Sequence, residues 1–102
     1  YNDSQFKLYY DLIAEEFTEL NAAVLSGDRK EQLDALLDIM VVTAGAIHSM
    51  GADGEGGWKE VMSTNFAKID KDTGKVRKRE DGKVMKPAFW RPPQLEQFLK
   101  KN

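Results

Sequence analysis

Apolar residues recur at helical spacing through the first quarter of the chain. Neighbouring members stand three or four positions apart, as on one face of an α-helix: Phe6, Tyr10, Ile13, Phe17, Leu20 and Val24. Asp3 or Ser4 can cap the start of this helix, and Gly27 suits the left-handed position after its end. The pattern predicts a helix from about residue 4 to Ser26.

A second helix is predicted directly after the first. Asp28 followed by Glu31 is typical of a capping box, and residues 35–47 are apolar on nearly every side, as in a buried central helix. The connection is only about two residues long, which favours an antiparallel helical hairpin. Positions whose numbers add to about 55 then lie side by side.

The remaining chain predicts shorter elements. Gly51 and the segment Gly54-Glu55-Gly56-Gly57 interrupt the helical pattern, and a third helix is expected from about Trp58 to Ala67. Asp81-Gly82 marks a turn that could join residues 73–78 and 81–86 as a short β-hairpin. Pro92-Pro93 is expected to start a short terminal helix. The fold class is therefore all-α, with a basic β-hairpin or loop near the C-terminus.

Composition bounds the class of protein. With 102 residues the chain is expected to form one domain, 1–102. It contains no cysteine, which excludes disulfides, thiolate zinc sites and cysteine nucleophiles. The longest apolar stretch, from Ile39 to Ile47, is too short to span a membrane. No signal peptide is visible, so a cytoplasmic protein is expected, although a chain starting at Tyr1 can lack an upstream piece.

Charge is distributed unevenly along the chain. Up to Glu60 there are 12 acids against 4 bases, and from Val61 onward 5 acids against 11 bases. Such segregation suits a site in which acidic helices, residues 4–50, bind metal and a basic tail, residues 56–102, binds phosphate. The same separation of acidic and basic residues would also suit a salt-bridged interface between copies of the chain.

Two acidic clusters interrupt the apolar helices. They are Glu15-Glu16-x-x-Glu19 and Glu31-x-x-Asp34-x-x-x-Asp38. Carboxylates three and four positions apart share a helix face, and the hairpin register brings four of them within about one helical turn: Glu16, Glu19, Asp34 and Asp38. Converging carboxylates suit a hard cation such as Mg²⁺. Glu15 falls nearly opposite the apolar face, and Glu31 is also explained by capping.

This acidic pattern resembles the MazG-type all-α nucleoside triphosphate pyrophosphohydrolases, which carry Glu-Glu-x-x-Glu on one helix and Glu-x-x-Asp on the next. Residues 38–42, Asp-Ile-Met-Val-Val, are similar to the Asp-Leu-Leu-Phe stretch of the family. In that register Ala35 occupies the usual glutamate position, and Asp34 is expected to replace it. An alternative register uses Glu31-x-x-Asp34.

The resemblance extends into the basic tail. Residues 63–68 and 81–86 are similar to a subgroup related to phosphoribosyl-ATP pyrophosphohydrolase and seen in phage and mobile-element proteins. The resemblance implies catalytic roles for Glu15, Glu16 and Glu19, with Mg²⁺ (or Mn²⁺) as cofactor. It also implies substrate-binding roles for four tail residues: Asn65, Lys68, Lys83 and Lys86. Without the family resemblance, Asn65 would be expected to form a hydrogen bond within the fold and Lys68 to be solvated.

The implied activity is hydrolysis of a nucleoside triphosphate, expected to be a dNTP, to a monophosphate and pyrophosphate in nucleotide-pool house-cleaning. Spacing alone indicates only a metal–phosphate site. A homodimer or homotetramer is expected, with neither stable nucleic-acid binding nor membrane association. Two alternatives stay open: a phosphoribosyl-ATP pyrophosphohydrolase-like enzyme and a non-catalytic helical interaction protein.

Overall fold

The computed structural model describes residues 2–100, and this range contains three α-helices. They are α1 (Asp3–Ser26), α2 (Arg29–Ser49) and α3 (Gly54–Phe66), followed by one turn of 3₁₀ helix at Glu96–Phe98. The predicted all-α class is confirmed. Within the same range, no single helix is long and apolar enough to cross a membrane; only α2 and α3 taken together as a bent pair reach that length and composition. The chain divides into two compact units, residues 2–54 with 99–100 and residues 55–98.

The ends of the first two helices follow from their local sequence. Asn2, rather than Asp3 or Ser4, caps α1, and its side-chain oxygen accepts the Gln5 N–H at 3.0 Å. Gly27 has a φ of 71° and its N–H bonds the last carbonyls of α1, as predicted. Asp28 then caps α2 by accepting the Glu31 N–H at 3.1 Å. One left-handed glycine and one cap thus reverse the chain within two residues.

α1 and α2 pack as the predicted antiparallel hairpin. The Asn2 N–H donates to the Ser49 carbonyl at 2.9 Å, and the Gln32 side chain donates to the Ala23 carbonyl at 3.3 Å. Tyr9 lies against Gly45, where a Cβ would come within 2.6 Å of the Tyr9 Cζ. The Gln32–Ala23 and Tyr9–Gly45 pairs confirm the expected register, and the missing side chain of Gly45 lets the two helices approach closely.

The residues shielded by this packing form what we call the seam. On α1 the seam comprises Phe6, Tyr9, Leu12, Ile13, Glu16, Leu20 and Ala23. On α2 it comprises Gln32, Ala35, Asp38, Ile39, Val42, Thr43, Gly45, Ala46 and Ser49. The spacing of three and four matches two helices packed along their length. Glu16 and Asp38 therefore occupy positions that usually hold apolar side chains.

The apolar face predicted for α1 proves to be two neighbouring faces. Phe6, Ile13 and Leu20 belong to the seam, whereas three other members lie outside it and are more than half exposed: Tyr10, Phe17 and Val24. The prediction that residues 35–47 form a buried helix is wrong for the single chain. Met40 and Val41 are 65% and 69% exposed, because one partner helix covers only one side of α2.

The second unit consists of most of α3 and the tail that packs on it. The helix begins four residues before the predicted start at Trp58, since its glycines lie in the first turn, where their low propensity costs least. The Trp90 indole N–H donates to the Thr64 carbonyl at 2.7 Å, and the Gln94 N–H donates to Glu60 at 2.7 Å. These two bonds attach the tail to α3.

The predicted β-hairpin is not confirmed as a regular element. Ile69 pairs with Val76 and Lys78 with Val84, but each is an isolated antiparallel bridge, and residues 2–100 contain no extended strand. The predicted terminal helix is wrong over the described tail, where only the turn at Glu96–Phe98 forms; Lys101 lies outside the described residues. Pro93 disfavours the helical conformation at Pro92, and the Gln94 N–H bonds the Glu60 side chain of α3.

Gly45→Ala tests whether close packing at Tyr9 sets the seam. Alanine favours a helix by about 1 kcal/mol over glycine, but overpacking against the tyrosine ring costs about 1–3 kcal/mol. We expect net destabilisation, measured by urea unfolding. In a Tyr9→Ala background, the same substitution should become neutral or stabilising. Stabilisation in the presence of Tyr9 would show that the helices are not held together at this point.

Candidate functional site

Three of the predicted metal ligands converge between α1 and α2. Glu16 and Glu19 extend from successive turns of α1 and Asp38 from α2, and one oxygen from each lies within 4.8 Å of the others. The register of the hairpin brings Asp38 level with the α1 pair. This distance is short enough for one cation to contact all three oxygens.

Glu16 occupies the centre of this cluster and is held in an unfavourable environment. Its Oε2 atom is shielded from solvent and has no hydrogen-bond partner among the described residues. Burial raises the pKa of the Glu16 carboxyl, and the neighbouring carboxylates of Glu19, Asp38 and Glu15 raise the pKa further. Each of these causes opposes a negative charge on Glu16, and a bound cation would counter all of them.

Asp34 and Glu31 lie outside the cluster. Both are exposed and line a shallow depression on α2 together with Lys30, Leu33 and Leu37. Asp34 is one helical turn from Asp38 on the side of the connection, so its role as a fourth ligand stays a prediction. The Glu31 backbone N–H bonds the cap residue Asp28, in agreement with a capping role.

The predicted substrate-binding residues belong to the unit of residues 55–98. Asn65 is exposed and accepts a bond from the Lys68 ammonium at 3.1 Å, which is the local role considered for it. Lys68 and Lys86 place their ammonium groups 5.1 Å and 4.7 Å from the centre of the Trp90 ring. Lys83 is exposed, and its backbone N–H bonds Asp81 at 3.0 Å.

The sequence analysis missed Trp90. Its indole joins two lysines that are 18 positions apart, and no periodic pattern connects those positions. The available signal was a single large aromatic residue in a segment rich in proline and basic residues.

The chemistry of the cluster is that of a hard-cation site. It offers oxygen ligands only, carries up to three negative charges and includes a shielded oxygen with an unused acceptor. Mg²⁺ and Ca²⁺ prefer such oxygen donors, whereas a thiolate site is impossible in a chain without cysteine. The residues present therefore fit a divalent cation.

Comparison with known proteins assigns the family. The phosphoribosyl-ATP pyrophosphohydrolase family model matches residues 1–65, which is more than half of the chain. The chain belongs to this family. A search of the curated proteins finds no significant match. The recognition of a MazG-like all-α pyrophosphohydrolase is confirmed, and the chain is a hydrolase of phosphoric anhydride bonds in nucleotides.

The matched segment contains the whole acidic cluster. It covers α1, α2 and α3 as far as Asn65, and it ends before Lys68 and the other basic residues of the tail. The family assignment therefore applies directly to the acidic cluster and does not extend to the basic tail.

Asp38→Asn tests the cation site through stability rather than activity. Without metal the variant should melt at or above the wild-type temperature, because one repelling charge is removed. Mg²⁺ at about 100 times its Kd should stabilise the wild type by about 2.7 kcal/mol, which corresponds to roughly 10–20 °C. Most of this increase should be absent from the variant when melting is followed by circular dichroism.

Asp11→Asn is the matched control for this experiment. Asp11 lies on α1 but pairs with Lys7 at the surface, at 2.6 Å, so the substitution should leave the Mg²⁺ response intact. A Mg²⁺ response that persists unchanged in Asp38→Asn would falsify the assignment.

Proposed function

We propose that the chain is a Mg²⁺-dependent nucleoside triphosphate pyrophosphohydrolase that cleaves a (d)NTP to the monophosphate and pyrophosphate. The observation that supports this most strongly is the shielded, unpaired Oε2 of Glu16 facing two further carboxylates. Family membership supplies the type of bond cleaved. Removal of non-standard or surplus nucleotides in the cytoplasm is the cellular role we propose for it.

Each acidic residue has a proposed task. Glu16, Glu19 and Asp38 hold the cation, and Asp34 completes the site from the adjacent turn of α2. Glu15 is exposed beside Glu16, where its carboxylate is available to accept a proton from the attacking water. A bound Mg²⁺ supplies a Lewis acid that offsets negative charge on the phosphate chain.

The basic tail is proposed to bind the phosphate chain. Lys68, Lys83 and Lys86 are cations suited to charge that develops on a departing pyrophosphate, and Asn65 holds Lys68 by a hydrogen bond. We propose that residues 1–102 make up a single functional domain. Phosphoribosyl-ATP is the second candidate substrate, favoured by the family description itself.

We further propose that copies of the chain associate through the apolar residues left outside the seam. On α1 these include Tyr10, Phe17 and Val24, and on α2 Leu36, Leu37, Met40 and Val41, all of them at least about half exposed. The buried residues of the described chain are three alanines and one serine, a small core for a domain of this length. Homodimers or homotetramers would cover the remaining apolar surface.

A nucleotide panel tests the substrate. With Mg²⁺ present, we expect pyrophosphate release from dNTPs, and we expect phosphoribosyl-ATP to be cleaved less efficiently, by kcat/KM. Preference for phosphoribosyl-ATP over every dNTP would favour the second candidate. Absence of pyrophosphate release from all of these substrates would contradict the proposed substrate class.

Asp34→Asn and Glu31→Gln together test the register of the second acidic cluster. Loss of a ligand carboxylate should lower kcat/KM by orders of magnitude in Asp34→Asn. Glu31→Gln should be nearly silent, because the Glu31 backbone N–H that bonds Asp28 is retained. A larger loss of kcat/KM in Glu31→Gln than in Asp34→Asn would show that Glu31, and not Asp34, belongs to the site.

Met40→Glu tests the proposed association. A charge at this exposed apolar position should prevent copies from burying α2, and the variant should elute as a monomer in size-exclusion chromatography with light scattering. Ala22→Glu, at an exposed position on the polar side of α1, is the control and should retain the wild-type assembly. Equal masses for wild type and Met40→Glu would contradict the proposal.

A further inference from the structure

The tail contains a cavity that neither the acidic cluster nor the family match explains. It has a volume of about 770 Å³ and is lined by residues between Phe66 and Arg91. This size falls within the range of small-molecule sites, about 300–1,000 Å³. All lining residues belong to the unit of residues 55–98 and lie beyond the matched segment.

The lining combines two kinds of chemistry. Four cationic side chains face one acid: Lys68, Lys71, Arg77 and Arg91 against Asp70. Asp70 is already engaged, since its carboxylate accepts the Asp72 N–H at 2.8 Å in a turn. The cavity therefore has an excess of positive charge available to an anionic ligand.

The apolar part of the lining includes three aromatic residues. Phe66, Phe89 and Trp90 all contribute to it. Trp90 is fixed in place by its bond to the Thr64 carbonyl, at 2.7 Å, and holds Lys68 and Lys86 at its ring. Because both ammonium groups lie over the indole, Trp90 concentrates positive charge at the wall of the cavity.

Phe89 is in an unusual state. Its ring is fully exposed, and its φ of 66° is the left-handed conformation that side-chain-bearing residues rarely adopt. Neither feature stabilises the described fold. An exposed ring at the edge of a cationic cavity is suited to stack on a flat ligand.

We propose that this cavity binds a nucleoside phosphate, with the base on the aromatic residues and the phosphates on Arg77, Arg91 and the lysines. The proposal rests on the proposed function in taking a nucleotide as the ligand, and it assigns base recognition to a part of the chain outside the family match. A mononucleotide is favoured over a nucleic-acid strand because the positive charge is gathered in one cavity rather than along an extended groove.

Trp90 itself can report binding. The chain has two tryptophans, so Trp58→Phe leaves Trp90 as the sole indole fluorophore. ATP is titrated in EDTA, which prevents metal-dependent turnover. We expect a saturable change in Trp90 emission, with adenosine and inorganic triphosphate each binding at least about tenfold more weakly than ATP, because each lacks half of the recognised chemistry.

Two substitutions separate the charged and the aromatic contributions. Arg77→Gln should weaken ATP binding at least about tenfold, whereas Lys78→Gln, an equal charge change on the adjacent residue outside the lining, should change it less than about twofold. Phe89→Ala should weaken ATP at least about fivefold and leave inorganic triphosphate unaffected. Melting curves of each variant check that the fold is retained.

Three results would overturn the proposal. One is the absence of saturable ATP binding, by fluorescence and by equilibrium dialysis. Another is equal loss in Arg77→Gln and Lys78→Gln, which would indicate diffuse charge attraction. The third is tighter binding of a single-stranded decanucleotide than of ATP, which would indicate a nucleic-acid surface.

The proposed function can fail separately. ATP binding in EDTA, with no pyrophosphate release from any nucleoside triphosphate in Mg²⁺, would contradict the proposed function and leave the cavity proposal standing. Pyrophosphate release in Mg²⁺ with an unchanged KM in Arg77→Gln and Phe89→Ala would support the proposed function and contradict the cavity proposal.

Discussion

The structure depends on the close packing of α1 against α2 along the seam. Gly27 and the cap at Asp28 reverse the chain within two residues, and Gly45 admits the Tyr9 ring at the far end. Between these fixed points the register has no freedom to slip, so Asp38 has to lie beside Glu16. The buried residues of this contact are mainly alanines, whose small side chains let the two helices approach closely. Because alanines bury little apolar surface, many larger apolar side chains remain exposed to other partners.

The same packing brings three carboxylates close together, and a bound cation would offset their mutual repulsion. Glu16 and Asp38 take seam positions where apolar residues would stabilise the hairpin. The raised pKa of Glu16 means that a charged carboxylate is disfavoured there. The choice does not stabilise the hairpin, since a shielded carboxylate oxygen without a partner is unfavourable. The choice is consistent with a functional site, and it agrees with membership of a family that hydrolyses phosphoric anhydrides. Stability is reduced at the place where metal chemistry is proposed.

The sequence predicted what depends on local and regular patterns. The hairpin, its register, the cap at Asp28 and the convergence of Glu16, Glu19 and Asp38 all followed from spacing and turn length. The face of α1 was harder to predict, because two sets of residues seven apart, Phe6 with Ile13 and Tyr10 with Phe17, merge into one apparent stripe. Trp90 was missed because its bond to Thr64 and its lysine contacts join distant positions, and such contacts leave no periodic trace.

The central claim is that the three seam carboxylates share one divalent cation. Anomalous scattering from a crystal grown with Mn²⁺ tests this most directly, because it locates the metal without reference to activity. We expect an anomalous Mn²⁺ peak within about 2.0–2.3 Å of one oxygen each from Glu16, Glu19 and Asp38. A metal bound only at Glu31 and Asp34, or no peak between α1 and α2 at millimolar Mn²⁺, would contradict it.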